Sequence, residues 1–204
     1  MKIQKVYNSQ RRRDCLLFTE LEHEDLIFRN FSGRPTSVNA DGGVMTFAIA
    51  FKNYKAEFPE DIARVCDEMH KDGWNIRVKD KGVQGSFEYV PGAAYDYDTQ
   101  RVYMSVEARF NNYPPDVHII VQGKGRDTVY TEEMMPALDN LTLHDISVEI
   151  SPRIWDDRGT ERIKAFLATL WAVAEPNPYE ERYSKYMGAM REPMDDDLDY
   201  NPFM

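Results

Sequence analysis

The residues best suited to chemistry are the histidines, the clustered acids and one glycine-rich turn. The four histidines, His23, His70, His118 and His144, are scattered, and no HxxxH or paired CxxC occurs. A zinc site needs three or four such ligands at close spacing, so none is expected. The acids of "WDDRGTER" and Asp116 after two prolines are the candidates for a divalent metal. A metal-dependent nuclease also needs a second acid followed two residues later by a lysine, and "VEISPR" supplies Glu149 but places Ser151 at that position. These acids read as solvated loop residues. "QGKGRD" offers a GxG that any hairpin turn produces, and neither a GxSxG elbow nor a Walker loop is present. No catalytic residue, no metal and no cofactor is expected, and the chain is read as a non-enzyme.

The second chemistry on offer is attraction of phosphate and stacking of bases. Arg77, Lys79 and Lys81 in "WNIRVKDK" and Arg109 in "RVYMSVEARF" fall on the faces opposite the apolar residues if both stretches are strands. Tyr103 falls on the outer face with them. Solvent-facing cations are ordinary on β proteins, and the interleaved aromatic ring is what favours a single-strand track. Lys124 and Arg126 stand at the tip of a hairpin read from "PPDVHIIVQGKGRDTVY". Trp74 falls on the apolar side and reads as core, whereas Trp155 stands at a strand end.

Charge limits this reading. The formal net charge is −10, whereas nucleic-acid binding is driven by basic groups displacing counterions. Half of that excess lies in Glu192, Asp195, Asp196, Asp197 and Asp199, in a stretch from residue 192 onward that holds no base. The rest of the chain is still acidic, so a binding surface must be a local stripe. The segment "MDDDLDYNPFM" is too acidic and too poor in aliphatic residues to bury itself, so it is expected to be solvated.

Several elements must position these groups. "VMTFAIAF" at 44–51 reads as a buried strand, and "FPEDIARVCDEMHKDGW" as a helix opened by Pro59 and stopped at Gly73. Residues 82–100 read as a long loop, a short helix is expected around "TEEMMPALDNL", and "HDISVEISPRIW" reads as a strand. Residues 162–173 fit both a helical face and strand alternation, the helical count being slightly better, and periodicity alone does not settle the choice. Hydrophobic residues at 42% and the absence of any apolar run near the roughly 20 residues that cross a bilayer indicate a globular chain without a membrane partner. The basic N-terminus lacks the apolar core of a secretory signal, and Cys15 and Cys66, in apolar settings without CxxC spacing, are expected to be buried reduced thiols. The fold class expected is mainly β with minor α: an OB-like antiparallel barrel with one or two helices and a disordered acidic tail. The organisation expected is a basic segment at 1–13, the domain at 14–176 and the tail at 177–204.

Taken in order, "LIFRNFSG", "KDGWNIRVK", "NNYPPDVHII", "LDNLTLHDISVEISPRIWDDRGTERIKAFLATLW" and the closing acidic stretch resemble the single-stranded DNA-binding proteins of tailed bacteriophages, an OB-fold family with acidic C-terminal tails. The resemblance implies that Arg29 and Phe31 belong to an early strand near the binding face. It implies that Arg77 opens the strand after the helix, that Arg153, Trp155 and Lys164 flank the last hairpin, and that residues 162–173 are strand. Tyr113 stands where the family has an arginine before the double proline. The function implied is coating of single-stranded DNA with little sequence preference during phage replication or recombination, in the cytoplasm of the infected host, with a homodimer as one assembly to be tested. Through Asp195, Asp196, Asp197, Asp199 and Phe203 the tail would recruit replication or recombination proteins, or fold back as a tethered competitor. The alternative is an acidic interaction protein or DNA mimic that never touches DNA.

Overall fold

The computed structural model describes residues 1–35, 42–51, 59–96, 98–123, 125–157 and 159–176. The acidic segment 177–204 and Lys124 lie outside the described residues.

Eleven strands, one α-helix and two 3-10 segments make up the described chain. The strands are β1 (Lys2–Asn8), β2 (Arg13–Leu21), β3 (Leu26–Asn30), β4 (Met45–Phe51), β5 (Ile76–Asp80), β6 (Phe87–Glu88), β7 (Gln100–Ala108), β8 (Asp116–Val121), β9 (Asp127–Val129), β10 (Leu143–Asp157) and β11 (Thr160–Ala174). Helix α1 spans Pro59–Lys71, and the 3-10 segments are His23–Asp25 and Glu132–Asp139. Hydrogen bonding follows the order β1-β2-β10-β11-β7-β4-β3, with β5 and β6 attached to β7, and β8 and β9 attached to β11. The mainly β expectation holds, but the sheet is not closed into a barrel: among the described residues β1 and β3 remain its two ends. Nor is it wholly antiparallel, because β11 runs parallel to both β7 and β8.

Residues 162–173 resolve as strand. A helix over this stretch would leave the long β10 edge unpaired, whereas as a strand it pairs with β10 along almost its full length. Backbone groups buried in a sheet must be paired, and that tertiary demand overrides a slightly better helical periodicity. The segment Lys2–Asn8, read as a basic stretch ahead of the domain, is a strand paired residue for residue with β2. The long loop contains β6, which pairs with β5.

Helix α1 ends as its sequence predicts. Gly73 adopts φ 95°, the left-handed region that favours glycine. The amides of Gly73 and Trp74 return to the carbonyls of His70 and Met69 at 3.0 Å each, the paired bonds of a Schellman cap. The chain then locks onto β11: Asn75 N donates to Ile163 O at 3.2 Å, and Ile163 N to Gly73 O at 2.8 Å. Trp74 thereby enters the core, 6% exposed, as its apolar side predicted.

One main core packs against the sheet, with Phe18, Leu21, Phe47, Ile49, Phe51, Ile76, Met104, Val148, Ile150 and Leu170 among its buried members. Both cysteines are free and buried. Burial pushes the Cys15 thiol up to about 11 and the Cys66 thiol up to about 12, so neither is a reactive thiolate.

Candidate nucleic-acid interface

The outer face of β3, β4, β5, β7, β10 and β11 carries the candidate site. Strand alternation turns Tyr103, Ser105 and Glu107 of β7 away from the core. Register then sets Tyr103 between Ala50 of β4 and Arg77 of β5, Arg101 beside Lys79, and Glu107 beside Phe166 of β11.

At one end, Ile27, Ala48, Ala50 and Tyr103 form a small buried cluster separate from the main core. The alanines leave room above β4, and Phe28 meets this cluster at Tyr103. Phe28 sits at φ 51° where β3 slips register against β4, and this kink turns its ring outward. It is 43% exposed, meets Tyr103 edge-on at 5.1 Å between centroids, and has Lys79 Nζ 5.2 Å from its ring centre. Tyr103 does face outward, yet at 8% exposed it supports the accessible ring rather than being one.

The other end lies about 13 Å along β7, four residues at the usual strand rise. There Phe166 is flanked by the guanidiniums of Arg109 and Arg153, 5.1 and 5.5 Å from its ring centre. Lys164 Nζ lies 4.5 Å from the Trp155 ring centre. The Trp155 indole nitrogen is buried without a hydrogen-bond partner. Glu107 lies among these cations and holds two of them, Arg109 at 2.7 Å and Lys164 at 3.3 Å. Glu88 holds Arg162 at 2.5 Å, and this hydrogen bond keeps the Glu88 carboxyl below the usual carboxylate range.

The structure therefore brings together Lys79 and Tyr103 at one end, and Arg109, Arg153, Trp155 and Lys164 at the other. Arg77 lies beside Tyr103, but its guanidinium donates to the carbonyl and hydroxyl of Ser86 at 2.8 and 3.2 Å. Lys81 donates to the carbonyl of Asp98. Arg126, at the β8–β9 turn, lies beyond the register pair Val121–Ala174, about 26 Å along β11 from Phe166 at the strand rise.

Two expected site residues are placed elsewhere. Phe31 is fully buried and stacked on Phe47 at 5.2 Å, so it belongs to the core. Arg29 turns its guanidinium to the carbonyls of Leu138 and Leu141 at 3.2 and 2.8 Å, fastening the second 3-10 segment to β3. Burial lowers its pKa, as expected for a desolvated cation serving backbone acceptors. The same kink that exposes Phe28 swaps the faces of the residues after it.

Sequence reasoning missed Phe28, Phe166 and Arg11 as parts of the site, and named only Tyr113 from the 111–113 turn. Phe166 was legible once residues 162–173 are strand, because alternation buries Ala165 and Leu167 and sends Phe166 outward. Nothing in the sequence announced the kink at Phe28. Among the described residues no cluster of acids, histidines and cysteines could hold a metal ion. No helix among them is long and apolar enough to cross a membrane.

The fold resembles solved phage proteins at low identity. The single-stranded DNA-binding protein from bacteriophage Enc34 in complex with single-stranded DNA matches with a TM-score of 0.43 and 11% identity, covering 86% of this chain and 93% of that one. Another structure of the Enc34 protein matches with a TM-score of 0.42 and 13% identity, covering 92% and 99%. The bacteriophage T7 single-stranded DNA-binding protein gp2.5 matches with a TM-score of 0.34 and 10% identity, covering 80% and 94%. Likeness at this level assigns no individual residue. Among curated proteins, no sequence matches the chain. A family model does match, over residues 8–199 and hence nearly all of the sequence, and the chain belongs to the phage ssDNA-binding domain family.

Proposed function

We propose that the protein binds single-stranded DNA, with little sequence preference, across the outer face that runs from Phe28 to Phe166. The observation that carries this reading is the alternation of rings and cations there: Phe28 with Lys79, Phe166 with Arg109 and Arg153, and Trp155 with Lys164. Rings stack on bases of any identity, and neighbouring cations follow the phosphates. Such coating suits phage DNA replication or recombination in the host cytoplasm and needs no catalytic group. The acidic segment at 177–204, with Asp195, Asp196, Asp197, Asp199 and Phe203, is proposed to recruit protein partners and to compete with DNA for the same face. Whether the coating unit is a dimer is read out by sedimentation of the free protein.

A DNA mimic would present carboxylates to its partners. On this face Glu107 and Glu88 are instead tied to cations, which favours the DNA-binding reading over that alternative. Titration of labelled single-stranded and duplex oligonucleotides at low and moderate salt tests the proposal, using the full chain and a version ending at Arg191. Salt-sensitive preference for the single strand, tighter without the tail, is expected. Equal binding to both strand forms, or none to either, would overturn it.

A further inference from the structure

The sheet has a seam. Strand β11 pairs with β7 at Ala165 and Phe166, and with β8 only from Thr169 onward. Between them the carbonyls of Leu167 and Ala168 accept from Arg11 Nη2 at 3.3 and 3.5 Å. The same nitrogen lies 3.3 and 3.2 Å from the carbonyls of Tyr113 and Pro114, in the connection from β7 to β8. Arg11 thus fastens that connection to β11 across the gap, and burial lowers its pKa. Its Nη2 is occupied by backbone carbonyls, so it is a positioning residue.

A pocket of about 210 Å³ opens over this seam, and Phe166, Arg109, Arg153, Asn111, Asn112 and Tyr113 are among its lining residues. No carboxylate is among its lining residues. The Arg153 guanidinium and the Nη1 edge of Arg109, whose Nε and Nη2 are held by Glu107, converge on one ring and suit a phosphate. The Asn111 and Asn112 amides each carry donors and an acceptor, the complement of a base edge. Phe166 supplies the apolar surface for stacking. A track that only follows charge and stacks rings does not need two amides and a recess, whereas a single nucleotide unit uses all of them.

We propose that the seam pocket is a discrete one-nucleotide subsite on the single-strand path, with a phosphate between Arg109 and Arg153 and the base over Phe166 against the Asn111 and Asn112 amides. The proposal rests on the single-strand reading above and refines it: the rings near Phe28 tolerate any base, whereas this pocket imposes a local base preference.

The test uses the full chain and single strands carrying 5-iododeoxyuridine, photo-crosslinked and mapped by peptide mass spectrometry, beside titrations with dT, dC and dA homopolymers. Crosslinks at Phe166 or Tyr113 are expected. The N111A/N112A double variant should bring the homopolymer affinities to within about twofold of one another, and R153A should lower the log-log salt slope by about 0.7, one phosphate contact. A bound strand that crosslinks only elsewhere, or an N111A/N112A variant with unchanged homopolymer ranking, would overturn the subsite and leave the single-strand reading intact. Failure of the unaltered protein to bind any single strand would instead remove that reading and the subsite with it.

Discussion

Arg109 donates through both Nε and Nη2 to one carboxylate oxygen of Glu107, at 3.1 and 2.7 Å. The other oxygen of Glu107 accepts from Lys164 Nζ at 3.3 Å. A carboxylate only 17% exposed thus occupies, for two cations of the candidate interface, the place a phosphate would take. Incoming DNA must compete with it. Glu107→Gln is therefore expected to tighten single-strand binding roughly fivefold, the scale of an ion pair worth about 1 kcal/mol. It should also steepen the log-log salt slope by about 1.4 as two cations become available to phosphate. Weaker binding by the variant, measured by fluorescence anisotropy at two salt concentrations, would show that Glu107 positions these cations rather than competing for them.

Two phenylalanines three residues apart separate platform from core. Phe28→Ala removes an exposed ring and should weaken single-strand binding by about 1 to 3 kcal/mol, the value of one base stack, with little change in stability. Phe31→Ala empties a fully buried site stacked on Phe47 and should cost about 3 to 5 kcal/mol of folding stability. Urea denaturation beside anisotropy distinguishes them, and equal effects of the two variants on both measurements would refute the assignment.

Arg11 is expected to matter for stability more than its position in a turn suggests. Replacing it with methionine leaves carbonyls at the seam without their donor and should cost about 2 kcal/mol, the range for a hydrogen bond from a charged group. Arg11→Lys should restore most of this, because one nitrogen, Nη2, meets all four carbonyls between β11 and Tyr113–Pro114, a place that an ammonium with three donors can take. A lysine variant as unstable as the methionine variant, or a methionine variant of wild-type stability, would contradict the bridging role.

The fold should lose stability in mild acid through His23. Its Nδ1 accepts from the amide of Leu143 at 3.2 Å, so protonating that nitrogen would set two donors face to face, and its Nε2 lies 3.3 Å from the cationic Arg29 Nη2. Burial and the Arg29 charge lower its pKa. A histidine with a lowered folded pKa contributes stability that is fully present above its unfolded pKa of about 6.5 and is lost as pH falls through the folded value. Denaturation midpoints at pH 7.5 and 5.5 should therefore differ less in His23→Gln than in the unaltered protein.

Most elements were legible because their signals are local. The apolar repeat between Pro59 and Gly73 specifies α1, and the alternation from Val102 to Ala108 specifies β7 and the outward Tyr103. What was not legible depends on partners distant in sequence. The strand at 160–174 is decided by β10, the open mixed sheet by parallel pairing of β11 with β7 and β8, and the burial of Phe31 by a one-residue register slip at Phe28. Period-2 reasoning fails at such a kink, since every side chain beyond it changes face. Arg11 was hidden for a similar reason: its four carbonyl partners come from two segments more than 100 residues away.

The central claim, that single-stranded DNA follows the outer face from Phe28 to Phe166, is tested most directly by reversing one cation at each end. The K79E/R153E variant should keep its circular dichroism spectrum and melting temperature, because neither head group is buried. It should bind a single-stranded oligonucleotide at least about tenfold more weakly, with a log-log salt slope smaller by about 1.4. A folded K79E/R153E protein that binds with unchanged affinity and slope would place the DNA on another face and contradict the account.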